Sequence, residues 1–325
     1  MLRQAQHDTT TMKYLFLLTL LIVNCQLSIA QNAFKVIPLG VKGGLDESNL
    51  SAYLVAPEGS DTYVCLDAGT IYSGVEKAIT NKLVKGDAQS FIKNNIKAYL
   101  ISHAHLDHVS GLVLNSVDDT TKNIYGLPFM LDYLQKHYFN WKSWPNFGSD
   151  GDSPALKKYQ YKFLAPGAET KIENTALSAK TFPLSHSTPY QSSAFLLRNN
   201  DNYILYFGDT GADELEKSNR MESVWKEIAP LVKEKKLKAI FLEVSYPDEQ
   251  ADNKLYGHLT PKWLMHEMEA LAKLAGKDAL KELNVIITHI KPTGNNEEMI
   301  KKQLSEQNKY KLNFIFAEQG VLYNF

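Results

Sequence analysis

Residues 96–108 read IKAYLISHAHLDH. A near-continuous apolar run of this kind belongs to a strand buried on both faces of its sheet, and it stops directly in His103, His105, Asp107 and His108. A hydrophobic core does not tolerate four such groups without partners, and a solvated loop does not need them. A hydrogen-bonded polar turn would account for this motif taken alone. It does not account for the other apolar runs, which end in the same way: TYVCL in Asp67, AKTFPLS in His186, YILYFG in Asp209, AIFL in Glu243 and NVIIT in His289. Open α/β folds build their sites at strand ends. The recurrence predicts a chain whose strands converge to place these side chains together.

The residue types point to metal. His-x-His lets two imidazoles reach one ion from a single turn, and the Asp-His pair that follows points to a second ion nearby. Neutral imidazole and carboxylate suit zinc, with manganese or iron as substitutes. Asp209 is placed to bridge the two ions. His186 completes the first site, with His103 and His105. His289 completes the second, with Asp107 and His108. Asp67 is expected outside the ligand set, accepting the N–H of a ligand histidine and so orienting it. His7, His137 and His266 have no such setting.

Two further features bound the reading. The formal charge of −1 offers no basic field for nucleic acid and no polybasic patch for a membrane surface. From Met12 the chain reads MKYLFLLTLLIVNCQLSIA: a lysine, an apolar run too short to span a bilayer comfortably, then a small-x-small pattern at Ser28-Ile29-Ala30. Residues 1–30 are read as leader and signal peptide, cleaved near Ala30, with translation starting at Met1 or Met12. The product would be secreted or periplasmic. Lipidation at Cys25 is the weaker reading, because Asn24 stands where a small residue is wanted. Loss of Cys25 leaves Cys65 without an intramolecular disulfide partner.

Residues 31–325 are read as one domain. Strands are expected at FKVIPLGV, SAYLVAP, DTYVCLDAG, TALSAKTFPLS, SSAFLLRN, NYILYFGD, LKAIFLEVS, KLNFIFA and VLYNF, besides those already named. Helices are expected at VEKAITNKLV, at HVSGLVLNS, through 126–148, and through DELEKSNRMESVWKEIAPLVKE. Another runs from Thr260-Pro261, an N-cap followed by proline at the first helical position, to about Lys273. Strands followed by helices in two halves suggest two sheets packed face to face with helices outside.

The motif order Asp67, His103-x-His105-x-Asp107-His108, His186, Asp209, His289 resembles the metallo-β-lactamase superfamily. That resemblance implies an α/β fold: an αββα sandwich of two mixed sheets with outer helices and a binuclear metal site at one edge. Three stretches narrow it. HAHLDHVSGLVLNS, the aromatic-rich insert around 117–160 containing IYGLPFMLDYLQKHYFNWKSWPNF, and YGHLTPKWL are similar in order to class II 3′,5′-cyclic nucleotide phosphodiesterases. This implies hydrolysis of cAMP, and as a second substrate cGMP, to the 5′-monophosphate by a metal-bridging hydroxide, with Asp107 holding the attacking water. The partner implied is a small cyclic nucleotide, with no nucleic acid and no membrane span. Oligomeric state stays open, a dimer included.

The leaving 3′-oxygen needs a proton. The transfer-RNA 3′-end nucleases of the superfamily use a Glu-x-Thr…His-x-Thr pair, and Glu243-Val-Ser245 with His258-Leu-Thr260 is similar. His258 is therefore the candidate donor and Glu243 its orienting partner; capping or packing by His258 against the helix from Thr260 is the bland alternative. Phe129, Tyr133, Tyr138, Phe139, Trp141, Trp144 and Phe147 are either core or, for one or two, wall of a base pocket. Asn140, Trp144, Asn146 and Thr260 are candidate substrate contacts. A β-lactamase, lactonase, thioesterase or nucleic-acid phosphodiesterase on the same metal pair is the alternative function. A decayed, non-enzymatic scaffold would have lost ligands, and a di-iron redox protein would want Glu at position 105.

Overall fold

The computed structural model describes residues 32–325, so the leader lies outside the described residues. Ala33–Phe325 form one compact unit. Two seven-stranded sheets carry it. The first contains β1 (Phe34–Gly40), β2 (Ala52–Pro57), β3 (Tyr63–Leu66), β4 (Ile96–Leu100), β5 (Lys122–Gly126), β6 (Tyr159–Phe163) and β14 (Tyr323–Asn324), in the order β14-β1-β2-β3-β4-β5-β6. The second contains β7 (Thr170–Lys171), β8 (Ser178–Ser185), β9 (Gln191–Asn199), β10 (Asn202–Phe207), β11 (Leu237–Glu243), β12 (Asn284–Thr288) and β13 (Asn313–Phe316), in the order β13-β12-β11-β10-β9-β8-β7.

Side chains alternate between faces along each strand. Tyr53, Val55, Ile204 and Tyr206 point into the layer between the sheets, with Phe195, Phe241 and Ile286. Their neighbours Leu54, Ala56, Leu205 and Phe207 point outward under helices. Over the first sheet lie α1 (Tyr72–Thr80), α2 (Ala88–Asn95), α3 (Leu106–Asn115) and α4 (Pro128–Tyr133). Over the second lie α6 (Arg220–Lys233), α7 (Pro261–Ala275) and α8 (Asn296–Gln307), preceded by the single turn α5 (Asp213–Glu216). Helix, sheet, sheet, helix is the layering expected, and both sheets are mixed. No described helix is long and apolar enough to cross a membrane.

Two expectations are corrected and one is narrowed. Within the stretch around 117–160, β5 and β6 are neighbouring parallel strands of the first sheet, and the aromatic segment is the chain between them. The stretch 126–148 is not one helix. α4 passes into a π-helical turn at Leu134–Tyr138 and stops, because the Asn140 carboxamide accepts from the N–H groups of Lys142 and Ser143 (2.9 and 2.8 Å) and holds a turn. The stretch from 213 breaks at Lys217, which is left-handed (φ 51°). There the Asp213 carboxylate accepts from Met221 N and Glu222 N (3.1 and 2.8 Å), taking up two orphan donors of the first turn of α6.

Strand direction positions the site. β3 and β4 are parallel, as are β10, β11 and β12; β8 is antiparallel to β9 and β9 to β10, so β8 also runs with β10. Six strands thus deliver the residues that follow them, or end them, to one edge of the sandwich.

Candidate active site and metal centre

Three histidines meet first. His103 Nε2 lies 3.2 Å from His105 Nδ1, and His186 Nε2 lies 3.3 Å from the same atom. Asp209 Oδ2 closes the group at 3.7 Å from His103 Nε2 and 3.8 Å from His186 Nε2. A second group shares the same carboxylate. His289 Nε2 is 3.1 Å from Asp107 Oδ2 and 3.1 Å from Asp209 Oδ2, and His108 Nε2 is 3.3 Å from Asp209 Oδ1. Ligand atoms on a tetrahedral zinc with bonds of about 2.0–2.1 Å stand roughly 3.3 Å apart. Both groups have that spacing, and all seven predicted ligands are in them.

The outer atoms explain which nitrogen faces inward. His108 Nδ1 donates to Asp67 Oδ2 (2.7 Å), His186 Nδ1 to Gly257 O (2.8 Å), and His103 Nδ1 and His289 Nδ1 to the hydroxyls of Ser102 (2.9 Å) and Ser245 (3.0 Å). Those hydroxyls are committed as acceptors because their own protons go to Asp67 Oδ2 (2.7 Å) and Glu243 Oε2 (2.8 Å). Each of these four rings is thereby held with Nε2 inward, the arrangement that ligand histidines need. His105 instead presents Nδ1, its ring stacked on Tyr190 at 4.5 Å and 8°.

Electrostatics agree with a cation. Burial pushes the His103 and His105 pKa values down, and that of His186 down to about 4, so these rings are neutral. Burial would also raise the Asp209 carboxyl, but His108 and His289 hold it well below the usual range. The fully buried His108 Nε2 has no hydrogen-bond partner among the described residues. A buried polar atom without a partner is costly; a metal ion is what satisfies it. The donors fit divalent ions.

Asp67 occupies the outer position expected of it. Left-handed at φ 51°, it takes Ser102 N (2.7 Å) on Oδ1, and Tyr206 OH (2.6 Å), Ser102 and His108 on Oδ2. Glu243 and His258 also meet: His258 Nδ1 is 2.7 Å from Glu243 Oε1. Burial opposes the imidazolium, yet Glu243 outweighs it and keeps the His258 pKa above the ordinary value. The ring stacks on His289 at 5.1 Å and lies 4.9 Å from His186, facing both groups.

Three of the four candidate substrate contacts, Asn140, Asn146 and Trp144, are corrected. Asn140 spends its carboxamide on backbone, donating to Lys136 O (2.6 Å) besides its two acceptances. Asn146 donates to Asp150 O (3.1 Å) and Asp152 O (2.7 Å) and accepts from Gly148 N (3.0 Å). Trp144 Nε1 donates to Ser116 Oγ (3.0 Å) and its ring packs on the helix-side core. Thr260 sits before α7 as predicted and is buried, and its hydroxyl has no hydrogen-bond partner among the described residues. Phe139 and Phe147 are core. Among the insert aromatics, Tyr133 and Tyr138 reach the site: Tyr133 stacks on Tyr190 (5.7 Å, 9°), and Tyr138 OH donates to Ala104 O (2.7 Å).

Ser102, Gly257, Tyr190 and Tyr206 were not expected from the sequence, and Ser245, expected only beside Glu243, also supports His289. Ser102 stands directly before His103, and Gly257 directly before His258. Gly257 is left-handed (φ 75°), and a Cβ there would lie 2.2 Å from Ser187 N, so no other residue can present this carbonyl to His186. Tyr190 and Tyr206 carry no local signal.

A model of the family described as class II cAMP phosphodiesterases matches residues 29–320. The chain belongs to this family. A 3′,5′-cyclic-nucleotide phosphodiesterase of Aliivibrio fischeri is 44% identical over 308 residues, covering 90% of this chain and 93% of that one. The crystal structure of unliganded yeast PDE1 superposes with a TM-score of 0.79 at 25% identity, covering 91% of this chain and 100% of that one. A metallo-β-lactamase fold protein of Bacillus subtilis, YhfI, superposes at 0.60 and 17% identity, covering 90% and 99%, and shares the fold.

Proposed function

We propose that the two groups joined by Asp209 hydrolyse the 3′,5′-phosphodiester of cAMP, and of cGMP, to the nucleoside 5′-monophosphate. The observation that carries this reading is His258: it faces both groups, is tied to Glu243 at 2.7 Å, and keeps Nε2 for another partner. A thioester expels a stable thiolate, so its hydrolysis on the same ligands would leave this group unused. Two divalent ions, proposed as zinc from the five imidazoles and two carboxylates, supply a nucleophile at neutral pH and neutralise phosphoryl charge when bound.

The chain's own residues do the rest. His103, His105 and His186 would hold one ion, and Asp107, His108 and His289 the other, with Asp209 reaching both. Asp107, at the rim, accepts a hydrogen bond from the attacking water. His258 donates its Nε2 proton to the departing 3′-oxygen, and Glu243 holds that ring oriented and charged. Asp67 keeps His108 aimed inward.

With purified protein, cAMP and cGMP are expected to be cleaved, with activity lost to a chelator and restored by zinc. Elemental analysis should find zinc. Turnover of nitrocefin with cyclic nucleotides inert would overturn the reading.

The leader supports a further proposal, that residues 1–30 direct export and the mature chain is secreted or periplasmic. Amino-terminal sequencing of the native protein should begin at Gln31, and fractionation should place it outside the cytoplasm. A cytoplasmic protein beginning at Met1 or Met12 would defeat it.

A further inference from the structure

Lys291 follows His289 by two residues, where the chain leaves β12. Its N–H donates to Ser245 O (3.1 Å), and its carbonyl accepts from Thr293 N (2.8 Å) and Asn296 Nδ2 (3.3 Å). The main chain is therefore fixed on both sides of the side chain. The ammonium stands 4.0 Å from Asp107 Oδ2, with 20% of the side chain exposed. That distance is too long for a hydrogen bond, so the donors of Nζ are not spent on Asp107. Across from it lies Gly44, left-handed at φ 67°, whose Cα side comes near both Nζ and Asp107 Oδ2: a Cβ there would lie 3.7 and 3.8 Å from them.

No other described lysine or arginine brings its charged end within 4.0 Å of Asp67, Asp107, Asp209 or Glu243. The remaining contacts of these carboxylates are histidines. The consequence appears in the charge balance. Two divalent ions, when bound, would match the charge of the four carboxylates, so the lysine or arginine charge facing a substrate at this edge is that of Lys291. A phosphodiester brings one negative charge and gains a second on its way to the transition state. His258 serves the leaving oxygen, which leaves the non-bridging oxygens without a protein cation unless Lys291 supplies it.

We propose that Lys291 binds a non-bridging oxygen of the substrate phosphate, and so acts as the phosphate-anchoring residue of this site. The inference rests on the cyclic-nucleotide reading for the substrate, but its chemistry is that of any phosphate oxyanion. An ammonium is a compact point charge with rotatable donors, suited to an oxygen that shifts as phosphorus changes geometry.

The test uses the metal-loaded full protein and the variants Lys291→Met and Lys291→Arg. A hydrogen bond to a charged group is lost in Lys291→Met, so the Kd for inorganic phosphate by calorimetry should rise about 10- to 100-fold. The KM for cAMP should rise with it and lose most of its dependence on ionic strength, at unchanged metal content. Lys291→Arg should recover most of both. Unchanged phosphate affinity in Lys291→Met overturns the proposal. So does loss of metal from that variant, which would make Lys291 a partner of Asp107 instead. Phosphate binding that weakens as expected in a protein inert to cyclic nucleotides would uphold Lys291 and reject the substrate assignment.

Discussion

Asp209→Ala is expected to lower turnover of cyclic nucleotides by about 10⁴-fold or more, each ion being worth several kcal/mol of transition-state charge stabilisation. The same substitution should empty the protein of metal. Asp209 is the one side chain common to both groups, with oxygens 3.1–3.8 Å from ligand nitrogens of His103, His108, His186 and His289. Without it neither group keeps its fourth donor. The fold should survive, because Asp209 lies beyond the end of β10 and the apolar layers do not include it. Elemental analysis, a thermal melt and kcat together decide the matter. Full metal content with a rate within tenfold of the parent would remove Asp209 from the bridging position.

His258→Ala separates chemistry from metal binding. A positioned general acid contributes about 10²- to 10⁴-fold, and turnover of cAMP should fall within that range while metal content stays at the parent level. The effect should depend on the leaving group. Bis(p-nitrophenyl) phosphate expels a stable phenolate that needs little protonation, so the variant should lose far less activity toward it. Glu243→Gln should move in the same direction by a smaller amount, since it keeps the ring near its place and removes the charge that favours the imidazolium. Equal losses on both substrates would mean that His258 holds the site's shape and does not deliver a proton.

Much of this site was legible in the chain because a single physical rule governed it. Each ligand, or the motif that carries it, follows an apolar run short enough to be a strand, and parallel strands end on one side. Asp67, Glu243 and His258 were legible for the same reason or through resemblance. The unreadable parts depend on contacts remote in sequence. β5 was missed because Lys122 and Asn123 interrupt its pattern, yet both are buried: Lys122 is paired with Asp119, which also accepts from the hydroxyls of Tyr99 and Tyr159 (2.9 Å each). The insert read as helix because its aromatic spacing is helical, while the turn that ends it is set by one carboxamide, Asn140. Asn146 and Trp144 looked like substrate contacts because polar groups among aromatics often are; only the structure shows their atoms already used.

The hydroxyl of Tyr206 on β10 donates across the apolar middle layer to Asp67 beyond β3, joining one sheet to the other. Burial of apolar area is non-directional, so the middle layer alone sets how firmly the sheets adhere but weakly sets how far one has slid along the other. A slip of one residue, ~3.3 Å, would shift His103, His105, Asp107 and His108 relative to His186, Asp209 and His289 by about the spacing that now joins them, 3.1–3.7 Å. Asp67 is therefore a registration pin as well as a support for His108. It ties the sliding coordinate of the sandwich to the same carboxylate that aims a ligand, so that correct alignment of the sheets and readiness of the site are one event.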